Sequence, residues 1–192
     1  LRGISCISLE QVAPKKNILS SKSFGRLVTK LEEVEEALAN YAFCACQKLR
    51  KQNSKAQGIY VFVKTNKYRI NDPQYRNSIT KEFSHPSSDT SLIIKTAKLL
   101  LREIYQPGFK YQKCGIMLLD LTPSDYLQNH LFEKVPTQKK EYLSSVIDAI
   151  NQSTGNESIF YASQGVKRNW RMRCNKKSQR YTTQWKELVK AY

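Results

Sequence analysis

Two stretches of helical hydrophobic period, each set between runs of strand type, constrain this chain more than any other feature. From Leu31 to Leu49 the apolar positions Leu31, Val34, Leu38, Tyr41, Ala42, Ala45 and Leu49 recur at the spacing of one helix face. Glu32, Glu33, Glu35 and Glu36 crowd the first turns, where acidic groups complement the helix dipole. A second amphipathic run, Leu92, Ile93, Ala97, Leu100, Leu101 and Ile104, opens behind the capping signal Ser88-Asp89-Thr90 and is stopped by Pro107-Gly108. Strand signals lie before, between and after these helices. Lys16 to Val28 alternates and carries Ser20-Ser21-Lys22-Ser23-Phe24-Gly25. Ile59-Tyr60-Val61-Phe62-Val63 and, after a polar break at 64–67, a longer stretch through Tyr75 and Ile79 to Phe83 read as an antiparallel pair. Cys114-Gly115-Ile116-Met117-Leu118-Leu119 reads as a buried strand. The predicted fold is α+β, a ferredoxin-like split βαββαβ plan: a four-stranded antiparallel sheet with two helices on one face and the other face open. That plan hosts many unrelated functions and licenses none by itself.

Beyond Leu121 the character changes. Thr122-Pro123-Ser124-Asp125 is a loop signal, Gln128 to Lys134 a short mixed segment, Lys139 to Asn151 a helix and Ser158-Ile159-Phe160-Tyr161-Ala162 a short strand. A small mixed α/β extension is therefore expected. Ser163 to Tyr192 holds nine Lys and Arg against one Glu, +8 of the chain's net +16. Such an excess favours a polyanionic partner, nucleic acid or an anionic membrane, without choosing between them. No run reaches the ~18 apolar residues of a membrane span, and Leu1-Arg2-Gly3-Ile4-Ser5 lacks a signal-peptide layout, so a cytoplasmic protein with no membrane partner is expected. The chain opens on Leu1 rather than Met, and its first residues read as the tail of an upstream element. Cys6, Cys44, Cys46, Cys114 and Cys174 are an odd, scattered set, and with His85 and His130 remote they suggest free thiols rather than a disulfide framework or a metal site.

Three clusters carry chemistry. Ser21-Lys22-Ser23-Phe24-Gly25-Arg26 combines short hydroxyls, a permissive glycine and cations, which is what a strand needs to hold phosphate oxygens near its backbone. A solvated edge strand fits the same composition. Gln128-Asn129-His130-Leu131-Phe132 offers a polar head and two apolar anchors, suited to a small hot spot on a partner or to a local anchor back onto the domain. Lys167-Arg168-Asn169-Trp170-Arg171-Met172-Arg173 interleaves cations with one aromatic. It fits docking on single-stranded DNA, a protein-partner surface, or a basic surface with Trp170 packed inward.

Several ordered blocks resemble one family. Gly3-Ile4-Ser5-Cys6, Ser8-Leu9-Glu10 and Ser21-Lys22-Ser23-Phe24-Gly25 resemble the junction from thumb to little finger in UmuC-type Y-family translesion DNA polymerases. Pro73-Gln74-Tyr75-Arg76-Asn77-Ser78, Tyr111-Gln112-Lys113-Cys114-Gly115-Ile116-Met117-Leu118 and Gln164-Gly165 through Trp170 to Arg180-Tyr181-Thr182-Thr183 agree further. The resemblance implies a linker from a missing thumb at 1–14, a little-finger DNA-binding domain at 15–122, a linker with a clamp-binding peptide at 123–137 and a basic C-terminal domain at 138–192. It implies that the sheet grips primer-template phosphates through Lys22, Ser23, Phe24, Gly25, Arg26, Gln112 and Lys113. Lys64, Thr65 and Arg69, at the hairpin between the middle strands, join them by position and charge. Gln128, Leu131 and Phe132 resemble the pentapeptide that binds the β sliding clamp, with Asn129 departing from the usual Leu. Lys167, Arg168, Trp170, Arg171 and Arg173 form a possible further nucleic-acid or partner surface. The resemblance also implies a processed UmuD dimer and RecA as partners, with no residue to place either.

No catalytic residue, metal or cofactor is expected here, because the family's Mg²⁺-binding carboxylates sit in a palm that precedes residue 1. Asp72, Asp89, Asp120 and Asp125 are spread over loops and strand ends. The expected function is non-sequence-specific binding of damaged primer-template DNA and of the clamp, as part of an error-prone polymerase in SOS repair. A stand-alone RNA-binding module, suggested by the alternating Tyr60 and Phe62, and a protein-interaction scaffold are the alternatives.

Overall fold

The computed structural model describes residues 14–125, 138–154, 158–172, 174 and 176–189. The chain runs β1 (Ile18–Val28), α1 (Leu31–Lys51), β2 (Ser54–Thr65), β3 (Arg76–Ser87), α2 (Thr90–Ile104), β4 (Tyr111–Pro123) and α3 (Gln138–Thr154), with short 3₁₀ turns at Ala162–Gln164 and Trp185–Glu187. α1 carries Glu32 and Glu33 in its first turn and Lys48, Arg50 and Lys51 in its last, charges that suit both ends of its dipole. α2 begins where the Asp89 carboxylate accepts the Ser91 N–H at 2.9 Å, the expected cap. It ends at extended Tyr105, ahead of Gly108 at φ +92°.

The expected α+β class, element order, four-stranded antiparallel sheet and pair of helices on one face are all present. The strand order refines the ferredoxin-like label. Across the sheet it is β1-β4-β2-β3, so β4 and β2 take the centre, where the ferredoxin-like order would place β1 and β3. Composition explains the choice. β4 and β2 hold the most apolar runs, whereas Ser20-Ser21-Lys22-Ser23 and Arg76-Asn77-Ser78 are polar strands suited to an edge. Ile18, Ile59, Val61, Val63, Cys114, Ile116 and Leu118 point to the helices and join Val34, Leu38, Leu49, Ile93 and Leu101 in one core.

β4 runs through Thr122 and Pro123, which the sequence marks as a loop. Pro123 stands opposite Ser54, and the Ser124 N–H donates to the Asn53 carbonyl at 2.8 Å; a proline is tolerated at the last rung of a ladder. α3 is present as expected and packs on the domain through ion pairs. Asp148 takes a bidentate bond from Arg50 (2.6 and 3.0 Å), and Glu141 pairs with Lys55 at 3.0 Å. Arg50 also donates to the Ser88 carbonyl and to Thr90 Oγ1, so one guanidinium ties α1, α2 and α3 together.

The strand expected at 158–162 does not form. Ile159 exchanges both of its backbone hydrogen bonds with the Asn151 side-chain amide, each at 2.8 Å, and Gln164 Oε1 takes the Tyr161 N–H at 2.8 Å. Side chains satisfy the backbone groups that a neighbouring strand would otherwise pair, so the described residues of the extension form helix and turns.

Candidate nucleic-acid interface

Strand alternation decides which residues reach the open face. On β2 and β4 the core takes Ile59, Val61, Val63, Cys114, Ile116 and Leu118, which leaves Tyr60, Phe62, Lys64, Lys113, Gly115 and Met117 on the other side. Register assembles these into rows across the sheet. Ser23 stands opposite Lys113, Lys113 opposite Lys64, and Lys64 opposite Arg76. The next row is Ser21, Gly115, Phe62 and Ser78, and the one after it Leu19, Met117, Tyr60 and Thr80. Three adjacent strands thus set three cations side by side.

Like charges directly opposite one another destabilise a sheet. Among the described residues Lys64, Lys113 and Arg76 have no acidic partner, whereas Arg26 is paired with Glu33, and Asp72 serves both Arg69 (3.5 Å) and Lys110 (2.7 Å). The row is left as a concentration of positive charge that an anion would neutralise. Beside it the face is flat for a steric reason. A Cβ on Gly115 would stand 2.4 Å from Ser21 Cβ and 2.6 Å from a Phe62 ring carbon, so the Phe62 ring lies across β4 where only glycine leaves room. Tyr60 follows it at a ring separation of 5.9 Å.

At the end of the cationic row an open cleft of about 430 Å³ is lined by Lys64, Lys67, Arg76, Gln112, Gln74 and Tyr68, among others. Its rim is held by buried Thr65, whose hydroxyl donates to Gln74 Oε1 at 2.9 Å and accepts the Tyr75 N–H at 3.0 Å. Gln74 Nε2 in turn holds the carbonyls of Arg69 and Asp72. The bond from Lys110, chiefly, holds the Asp72 carboxyl below its usual range and keeps it charged in the loop.

The residues singled out in the sequence divide. Ser23, Lys64 and Lys113 come together on the open face, and Gln112 lines the cleft beside them. Thr65 is largely buried within the lining of that cleft, and Arg69 pairs with Asp72, so both shape the hairpin. The first strand places its residues on both sides of the sheet. Lys22 is exposed, but it stands opposite buried Cys114 and so belongs to the helix-covered side of the edge strand. Phe24 is a core residue, the Gly25 N–H is taken by the Trp170 carbonyl at 3.0 Å, and Arg26 reaches Glu33 of α1. Arg76 and Lys67 were not singled out. Only the register that sets Arg76 opposite Lys64 reveals it, and Lys67 needs the fold of loop 66–75.

Gln128, Leu131, Phe132 and Arg173 lie outside the described residues. Trp170 is 1% exposed, so it is no stacking surface. Its ring meets Tyr41 edge-on at 5.8 Å, and its indole N–H donates to Glu36 at 3.3 Å. Gly165, at φ +69°, lets the Glu36 carboxylate occupy the space where a Cβ would stand, and buried Gln164 donates to Asn40. Lys167 is exposed, while Arg168 donates to the Gly165 carbonyl and lies over the Phe160 ring. Cys46, Cys114 and Cys174 are free; burial, chiefly, pushes the Cys46 thiol up to about 12 and Cys114 higher still, so neither is a nucleophile. Among the described residues no His, Cys, Asp and Glu group could hold a metal ion, and no helix is long and apolar enough to cross a membrane.

Fold and face together define an α+β domain that packs one side of its sheet under two helices and offers the other, polar and cationic, to solvent. Residues 15–131 match the impB/mucB/samB family C-terminal domain, and the chain belongs to that family. Residues 141–191 match a domain of unknown function, DUF4113. Curated relatives from Salmonella typhimurium include SamB (38% identical over 100% of this chain and 45% of its own length), UmuC of strain LT2 (36%, 99% and 46%) and ImpB (35%, 98% and 45%). The chain thus spans about half the length of the curated relatives it matches. Among solved structures, a DinB family error-prone DNA polymerase from Sulfolobus solfataricus aligns with a TM-score of 0.46 at 16% identity, over 56% of this chain and 30% of that one. The little finger domain of PolIV in complex with the beta-clamp processivity factor aligns at 0.41 and 12%, over 61% and 99%.

Proposed function

We propose that this chain is the DNA-gripping portion of an error-prone translesion polymerase, holding primer-template DNA by its phosphates across the open face of the sheet. The row Lys113, Lys64 and Arg76, unpaired among the described residues and flanked by Ser23 and Gln112, carries the reading. Amines, a guanidinium, a hydroxyl and an amide fix a phosphate backbone and read no bases, which suits an enzyme whose template bases are damaged. Gln128, Leu131 and Phe132 would tether the domain to a sliding clamp through a polar head and two apolar anchors. Nucleotidyl transfer with Mg²⁺ would belong to the part of the relatives that this chain does not span. The processed UmuD dimer and RecA remain partners of the parent by resemblance.

Fluorescence anisotropy with primer-template DNA across a salt series tests this. Lys64→Ala/Arg76→Ala/Lys113→Ala should shallow the log–log salt slope by about 0.9 per lost phosphate contact, and Lys22→Ala/Arg26→Ala should change it less. An unchanged slope in the triple variant would remove the sheet as the DNA surface. The adjacent Tyr60 and Phe62 on the same face favour one second reading, a single-stranded RNA platform; tighter binding of single-stranded RNA than of primer-template DNA would establish it.

A further inference from the structure

The C-terminal module of unknown function contains a folded loop that leaves its largest side chain in solvent. Arg180 and Glu187 close the loop: the Arg180 guanidinium donates to Glu187 Oε1 at 2.7 Å, and the Arg180 N–H bonds the other carboxylate oxygen. Inside it Gln184 N–H meets the Arg180 carbonyl at 3.0 Å, and Glu187 N–H the Gln184 carbonyl at 3.0 Å. The backbone is therefore ordered by its own hydrogen bonds, yet Trp185 is 89% exposed and Tyr181 45% exposed, both lining one open cleft of about 190 Å³. A tryptophan rarely stands so far out of a folded segment, and an aromatic held out by a closed loop marks a contact surface.

Charge selects the occupant. Glu187 is the one acid between Ser163 and Tyr192, and it is committed to Arg180. Exposed Lys176, Lys177 and Lys186 have no acidic partner among the described residues, and Lys177 lines a second cleft, of about 500 Å³, with Ser178, Gln179, Arg180 and the Glu187 that Arg180 neutralises. Leu188 and Val189 are also exposed beside the loop, which makes an apolar protein groove the competing occupant. Cations interleaved with aromatic faces suit an unpaired strand, whose phosphates meet the amines while its bases stack on the rings. From this we infer that the loop 180–188 binds single-stranded nucleic acid, with Trp185 and Tyr181 as stacking residues and Lys177 and Lys186 on the phosphates. This surface is separate from the sheet face and does not depend on it.

The two tryptophans supply the test, because Trp170 is 1% exposed and Trp185 89%. Titrating the full chain with oligo(dT) should quench the solvent-exposed emission and protect it from acrylamide. Trp185→Ala should abolish the quench and weaken binding of labelled oligo(dT) roughly tenfold to a hundredfold, with Tyr181→Ala acting in the same direction. Far-ultraviolet circular dichroism confirms that each variant is folded. An abasic oligonucleotide and polyglutamate serve as comparison polyanions. Equal quenching by either would overturn stacking, and no quench by oligo(dT) would overturn the site and leave a protein groove as the occupant. Lys64→Ala/Arg76→Ala/Lys113→Ala should leave the oligo(dT) quench intact, so failure of the sheet reading and failure of this one are told apart.

Discussion

Replacing Lys64 by glutamine should make the domain more stable and a poorer DNA binder at once. Lys64 is the middle cation of the row, with Lys113 on one side and Arg76 on the other. Each directly opposed like pair costs roughly 0.2–1 kcal/mol, so removing the central charge relieves two such terms, about 1 kcal/mol in total. Glutamine keeps most of the stem that half-buries Lys64, so lost packing should not cancel the gain. The relief is electrostatic and must fade as the Debye length shrinks from ~30 Å at 0.01 M salt to ~3 Å at 1 M. Urea unfolding at the two salt concentrations measures it. The expected result is a midpoint raised by about 0.5 M at low salt with unchanged slope, and a difference near zero at high salt. In parallel, the salt slope for primer-template binding should fall by about 0.9. A variant that is no more stable than the parent at low salt, or equally stabilised at both, would refute the argument that these charges repel one another.

Trp170→Ala should cost about 3–5 kcal/mol in urea unfolding, since it removes a fully buried indole and its bond to Glu36; a loss under about 1 kcal/mol would mean that this segment is not part of the folded unit. Gly115→Ala should lower the melting temperature and weaken duplex binding together, because the new methyl displaces Phe62 and Ser21; unchanged behaviour on both counts contradicts the packing described. Glu35→Gln should destabilise by roughly 1–2 kcal/mol at neutral pH through weakened bonds to Arg102 and Lys98. Burial pushes the Glu35 carboxyl up, but Arg102 and Lys98 together hold it below its ordinary range. A carboxyl depressed on folding contributes stability above its unfolded pKa and loses it as the pH falls through the folded value. The gap between parent and variant in urea unfolding should therefore be full at pH 7, narrow as the pH falls below the ordinary carboxylate range, and be gone once the folded-state carboxyl is protonated; a gap that persists in strong acid would place its cause elsewhere.

Both helices and all four strands were legible because their signals are local: apolar spacing, the Asp89 cap, and the Pro107-Gly108 stop. What escaped depends on partners distant in sequence. Alternation alone would have separated Lys22 from Ser23, since Lys22 shares the parity of Ile18 and Phe24. The cationic row, Arg76 included, depends on register between three strands, which no one-dimensional pattern supplies. At 158–162 the apolar run has strand character, and hydropathy does not say whether a neighbouring backbone or the Asn151 amide will satisfy Ile159. Burial of Trp170 likewise rests on Glu36 and Tyr41, far earlier in the chain.

The contact between Gly25 and Trp170 bears on how the molecule keeps to itself. β1 is an outer strand, and between Ser23 and Val28 its pairing with β4 is interrupted. An amide left open on such a border is an invitation to another copy's backbone, the first step toward fibrous or swapped assemblies. The Trp170 carbonyl occupies that amide with the protein's own chain. The C-terminal segment thus acts as a selvedge on the sheet, closing one amide of its border with residues that lie well outside the sheet's own sequence.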